Sequence, residues 1–183
     1  MKILTPDETI LGLIAIHACH GYELIEMFVN PDELGAVWKM STSQIYAVLK
    51  RLEKQAFISG RVVNSDNAPS RTEYVLTSAG KKAFEAWLHD PEPSASIRRV
   101  RVEFLSRLYI ARRLNIPTIP IVARQKAVCR AEYSRLLTTR EEVGFGMNYL
   151  THELALAQLD AVLTWIERCE LVPKELDDID DED

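Results

Sequence analysis

The stretch from Ser41 to Thr77 constrains this chain more than any other, because the spacing of its apolar residues changes period partway along. Ile45, Val48, Leu49 and Leu52 stand at i, i+3, i+4 and i+7, the single stripe of an amphipathic helix. Ser41 precedes that stripe as an N-cap, and Gln44, three residues on, closes a capping box, so the helix has a defined start. Beyond it, Phe57 to Val63 and Arg71 to Thr77 are rich in β-branched and aromatic residues at period two, which predicts the strands of a hairpin. The tip between them, Asn64 to Ser70, is rich in Asn, Asp, Ser and Pro and too long for a two-residue turn.

Two helices are predicted before this segment. Thr5 is the expected N-cap of the first, with Pro6 at the first helical position and Glu8 completing a capping box. Ile10, Leu11, Leu13, Ile14 and Ala18 make it apolar on more than one side, as a helix central to a small domain requires. His20 and Gly21 break it, and a second helix runs from about Tyr22 to Val29, stopped by Asn30 and Pro31. After the hairpin, Thr77 caps a fourth helix carrying Ala83, Phe84, Trp87 and Leu88. Helix, helix, capped helix and hairpin is the order of a winged helix-turn-helix, in which the third helix enters a DNA major groove.

Pro91 and Pro93 mark the linker, and everything beyond reads as helix: about 96–114, 121–142 and 147–171. The expected fold is therefore mainly α with a small β-hairpin. It comprises a winged helix-turn-helix over residues 1–90, a helical dimerisation domain over 91–174 and an acidic disordered tail over 175–183. Three long helices with apolar stripes need cover, and a second copy is the economical source. The residues expected at that contact are Phe104, Leu108, Leu154, Ala161 and Trp165.

The charge balance bears on the partner. A net charge of −5 argues superficially against nucleic acid, since phosphate contacts need Lys and Arg. Seven of the acidic residues, however, lie in 175–183, and the chain without them carries +2. On the third helix, Ser43, Ala47 and Lys50 point away from the apolar stripe, flanked by Gln44, Tyr46 and Arg51. Hydroxyl and amide groups at a helix N-terminus suit base edges and phosphate oxygens, and the cations farther along suit backbone charge. Lys39, Ser41, Thr42, Ser43, Gln44, Tyr46, Lys50 and Arg51 are the expected DNA contacts of this face. Arg71 is expected from the wing, with Arg61 a weaker candidate. The bland alternative for each is a solvated helix face.

Five short motifs then occur in order: His20-Gly21-Tyr22-Glu23, Trp38-Lys39-Met40-Ser41, Gln44-Ile45-Tyr46, Leu49-Lys50-Arg51-Leu52-Glu53, and Tyr74-Val75-Leu76-Thr77-Ser78-Ala79-Gly80. Over residues 8–90 the chain resembles the PadR family of transcriptional regulators. Its later half is similar in length, and in Val100-Arg101-Val102-Glu103-Phe104, to the long C-terminal-domain, AphA-like subfamily. The resemblance implies a homodimeric regulator, a repressor in the commoner habit of the family, that binds a pseudo-palindromic operator. It also implies a small aromatic or phenolic effector, for which Trp38 and Trp87 are the expected pocket residues. Two departures stand out: Ala56 where the family usually has Gly, and Val102 in place of a common acidic residue.

Other classes find little in the residues. His17, Cys19 and His20 cluster, but no second ligand pair follows at metal spacing, so neither metal nor cofactor is expected. There is no Gly-rich phosphate loop and no nucleophile elbow, which argues against an enzyme. Three widely separated cysteines and no long apolar run suit reduced thiols and a cytoplasmic protein away from membranes. The runner-up is a winged-helix module that binds protein rather than DNA.

Overall fold

The structure is a computed structural model that describes residues 4–65 and 68–171, without the side chains of 64, 65, 68, 69, 170 and 171. The acidic tail expected at 175–183 and the tip residues Asp66 and Asn67 lie outside the described residues. In chain order the elements are α1 (Asp7–Ile16), β1 (Cys19–His20), α2 (Gly21–Val29), a 3-10 turn (Leu34–Ala36), α3 (Thr42–Lys54), β2 (Ile58–Ser65), β3 (Ala68–Leu76) and α4 (Ser78–Leu88). Then come α5 (Ile97–Arg99), a π-helical turn (Val100–Phe104), α6 (Leu105–Arg113), α7 (Ile119–Thr139), a 3-10 turn (Arg140–Glu142) and α8 (Met147–Leu171).

The chain divides into two compact units. The first runs to Pro91 and takes in Arg98–Ile121; the second joins Glu92–Ile97 to the residues from Val122 onward. Packing thus draws the division differently from the boundary expected at residue 91, because α6 lies against α1. Gly12 shows how closely: a Cβ there would come within 2.5 Å of Ile110 Cδ1 and 2.9 Å of Phe84 Cε2. α1 is buried on most sides, from Thr9 through Ile14, as its all-round apolar sequence requires.

The start of α1 corrects one expectation. Pro6 rather than Thr5 occupies the N-cap and makes no side-chain cap bond. Asp7 and Glu8 in the first turn instead place negative charge at the positive end of the helix dipole. α1 also ends earlier than the break expected at His20 and Gly21, at an extended His17. The cause is the sheet, in which Cys19 pairs with Tyr74 and His20 with Glu73. This third strand turns the expected hairpin into an antiparallel sheet of order β1-β3-β2. β2 and β3 also pair farther out than expected, to Ser65 opposite Ala68 beyond an irregularity at Val63/Ser65, which shortens the long polar tip.

The end of α3 is fixed by a Schellman motif. Phe57 N donates to Leu52 O and Ala56 N to Glu53 O, each at 2.9 Å, which requires Ala56 to adopt φ 57°. A left-handed residue is therefore needed where the family usually has Gly. Thr77 then joins neighbouring elements: its Oγ1 donates to Ala56 O at 2.7 Å and accepts from Gly80 N at 3.1 Å, capping α4 as expected.

The first unit's core also holds a cation. Arg107, 3% exposed, donates through Nε to Trp87 O at 2.9 Å, and its guanidinium lies 4.9 Å from the centre of the Trp87 ring. Burial lowers its pKa, while Glu103, Asp90 and Glu8 act in the opposite sense. In the second unit, Val122, Gln125, Cys129 and Leu136 of α7 and Leu156, Leu159 and Ile166 of α8 are buried at helical spacing. Gln125 Nε2 donates to Ser94 O at 3.0 Å, tying 92–97 into this unit.

Candidate nucleic-acid interface

α3 starts from Ser41 in extended conformation, φ −80° and ψ 157°. Ser41 Oγ accepts from Gln44 N at 3.3 Å, and Gln44 Oε1 accepts from Ser41 N at 2.8 Å, so the expected capping box forms. Ser43 Oγ lies 3.0 Å from Ser41 Oγ. The Ser41 hydroxyl and the Gln44 amide oxygen are thus used by the helix start itself. The Gln44 Nε2 hydrogens meet no acceptor among the described residues, which leaves them for an outside one.

From that start the helix divides into two faces. Ile45, Val48, Leu49 and Leu52 are at most 4% exposed, while Thr42, Ser43, Gln44, Tyr46, Ala47 and Lys50 are exposed. Lys54, which sequence reasoning passed over, extends the outward row of Ala47 and Lys50 by one turn; the signal was its i+4 spacing from Lys50. Lys39, Lys50, Lys54 and Arg71 are exposed cations with no ion pair among the described residues.

Tyr46 is held from below. A Cβ on Gly21 would lie 2.8 Å from Tyr46 Cε1, so the ring rests on the bare first turn of α2. That turn is itself fixed by His20, whose N–H donates to Glu23 Oε2, forming the capping box of α2. His20-Gly21-Tyr22-Glu23 is therefore a device that seats a residue of α3.

Arg51 is placed differently from its companions. Its Nε donates to Asp7 Oδ2 at 2.8 Å and its Nη2 to Asp7 Oδ1, a bidentate pair that raises the Arg51 pKa. It joins the last turn of α3 to the first turn of α1, the ends at which the two helix dipoles favour these charges. On the wing, Arg61 is spoken for as well, its Nε donating to Glu73 Oε2 at 2.6 Å across the strand pair. Arg71 stands opposite Val63 and is exposed.

The other expected site residues fall into the interior or onto a separate surface. Trp38 is half-buried and donates through Nε1 to Ser106 Oγ at 3.1 Å. Trp87 is 6% exposed beneath Arg107. Neither lines the 700 Å³ groove along α2 or the 570 Å³ cleft beside α4. Phe104 and Leu108, expected at the dimer contact, are instead core residues of the first unit, because the stripe of α6 faces its own chain. On α8, Leu150, Leu154, Ala157 and Ala161 are exposed and Trp165 is half-buried. Among the described residues no group of His, Cys, Asp or Glu is arranged to hold a metal ion, and no helix is long and apolar enough to cross a membrane.

Residues 10–86 match the family described as transcriptional regulator PadR-like. The chain is 27% identical over 172 residues to the negative transcriptional regulator PadR of Bacillus subtilis strain 168, covering 86% of this chain and 91% of that protein. Among solved structures, Bacillus subtilis PadR in complex with operator DNA aligns with a TM-score of 0.47 at 24% identity, over 92% of this chain and 99% of that one. The same regulator in complex with p-coumaric acid aligns at 0.39 and 26% identity, over 90% of this chain and 92% of that one.

Proposed function

We propose that the chain is a PadR-like transcriptional regulator, a reading its family match and its likeness to a PadR protein support, and that it binds double-stranded operator DNA as a homodimer. α3 enters the major groove and the β2–β3 wing lies beside it. The observation that carries this reading is the outward face of α3, which offers an amide donor, a phenol and two lysines without an ion pair among the described residues, while its apolar stripe is buried. Thr42, Ser43 and Gln44 are assigned to base edges or phosphate near the helix N-terminus, Tyr46 to the groove, and Lys39, Lys50 and Arg71 to phosphates. Ser41 contributes by fixing the helix start, and Arg51 by bracing α3 against α1.

Two copies of α3 on successive major grooves, about 34 Å apart, imply a pseudo-palindromic site. The exposed apolar row of Leu150, Leu154, Ala157 and Ala161 on α8 supports pairing through the second unit. Replacing Leu150 and Leu154 with Asp should convert dimer to monomer in light scattering; an unchanged mass would move the contact elsewhere. The description of the Bacillus subtilis relative as a negative regulator supports repression. A small aromatic effector of the phenolic class would release the operator, and the role is regulatory rather than enzymatic, in the cytoplasm.

The test is fluorescence anisotropy on DNA from upstream of the chain's own gene across a salt series. Affinity should fall steeply, with a logarithmic slope near −0.9 per phosphate neutralised. Lys50→Ala and Tyr46→Ala should weaken binding and leave the dimer intact. A flat salt response, or parent-like binding by both variants, would replace this reading with a winged-helix module for protein partners.

A further inference from the structure

Beside α4 the first unit carries a cleft that the DNA-binding reading does not use. Ile14 of α1, Phe84 and Leu88 of α4, and Leu114 and Ile116 beyond α6 wall a volume of 570 Å³. That size lies within the range of small-molecule sites, about 300–1,000 Å³. Lys81 and, one helical turn on, Glu85 line it with these apolar walls, and the His89 ring follows a further turn along. Lys81 and Glu85 are exposed, and neither makes an ion pair with a described residue. Lys preceding Glu at i,i+4 is the less favourable order for pairing along a helix, so each charge is left to an outside partner.

An apolar hollow with a cation and an anion one turn apart on its lip selects among ligands by charge. An aliphatic or aromatic acid would satisfy Lys81 but set its carboxylate near Glu85. An amine would do the reverse. A molecule carrying both charges on one carbon, with an apolar side chain attached, satisfies both and fills the hollow. We propose that this cleft binds a free apolar α-amino acid, aromatic or branched aliphatic. Its carboxylate faces Lys81, its ammonium faces Glu85, and its side chain lies among Phe84, Leu114 and Ile116. Bound there, it bridges α1, α4 and the end of α6 within a single unit. Occupancy therefore stabilises that unit whether or not DNA is present, and the proposal stands apart from the operator reading.

The experiment is thermal denaturation and calorimetric titration of the full chain with L-phenylalanine and L-leucine. 3-Phenylpropionate, 2-phenylethylamine and glycine are the single-feature controls. At ligand a hundredfold above Kd, the Tm should rise by roughly 5 °C. The three controls should bind at least about tenfold more weakly, a loss on the order of 1.4 kcal/mol. Lys81→Ala and Glu85→Ala, both at exposed positions, should each weaken L-phenylalanine to a similar degree while leaving the Tm of the free protein in place. No saturable response to either amino acid overturns the site. Binding of 3-phenylpropionate as tight as L-phenylalanine, or binding indifferent to both variants, overturns the ligand class.

Discussion

Tyr46 rests its ring on Gly21, where a Cβ would approach Tyr46 Cε1 to 2.8 Å. The side chain that α3 presents outward is thus positioned by the absence of one on α2. Gly21→Ala should push the Tyr46 ring off its seat. Because Tyr46 is 48% exposed and its ring can swing toward solvent at little packing cost, the loss should fall on recognition more than on folding. We expect operator affinity to drop roughly tenfold, within the 1–3 kcal/mol of a base contact, with the Tm moved by less than about 4 °C. Unchanged affinity by anisotropy would show that the ring's position is immaterial.

Arg51 and Lys50 are neighbours on α3 with different tasks. Lys50→Ala should reduce the salt slope of DNA binding by about one, as removal of a phosphate contact does. Arg51→Ala should leave the slope nearly unchanged and lower stability instead. A double-mutant cycle with Asp7→Ala should return a coupling of about 0.5–1 kcal/mol. That modest value allows for the solvent reaching Arg51, whose side chain is 42% exposed.

Ala56 sits at φ 57°, in a region where Gly avoids the steric cost that a Cβ carries. Ala56→Gly should stabilise the chain by about 0.5–1 kcal/mol, read as a higher urea midpoint at unchanged slope. A lower midpoint would mean that the gain in unfolded-chain entropy outweighs the relief of strain.

The three thiols should differ in reactivity. Burial, with Glu23 and Glu73 nearby, pushes the Cys19 thiol from 9.0 up to about 12, and burial also raises Cys129. Since the thiolate is the nucleophile, an alkylating reagent at pH 8 should reach half-buried Cys169 first and the other two only on unfolding. The raised folded-state value of Cys19 also means that its contribution to stability is intact below about pH 9. It is lost as pH climbs toward 12, because the unfolded chain releases that proton first. Mass spectrometry of time-resolved labelling would check the order.

Local chemistry was the most legible part of the sequence. Ser41 with Gln44, and Thr77 ahead of α4, are caps whose partners lie three residues away, and both form. The apolar stripe of α3 needed only its own spacing. What could not be read involves partners distant in sequence. Asp7 lies 44 residues from Arg51, and the pairing of Cys19–His20 with β3 put a strand where the first helix was expected to run on to its break. Nor does a stripe reveal what covers it: Phe104 and Leu108 have the spacing expected of a dimer contact but lie in their own chain's core. Trp38 and Trp87 likewise meet partners distant in sequence, Ser106 and Arg107, which spacing alone does not reveal.

The packing of Ile110 into the hollow at Gly12 decides where this protein can be divided. Ending the chain at residue 90 would strip away Phe104, Leu108 and Ile110, each worth about 1.5–3 kcal/mol when buried. The sum rivals the whole stability of a typical domain, about 5–15 kcal/mol. The portable reading head is consequently longer than its motifs suggest. A chimera that grafts it onto a foreign assembly module must carry α6 along and place the splice after Ile121, where the first unit ends.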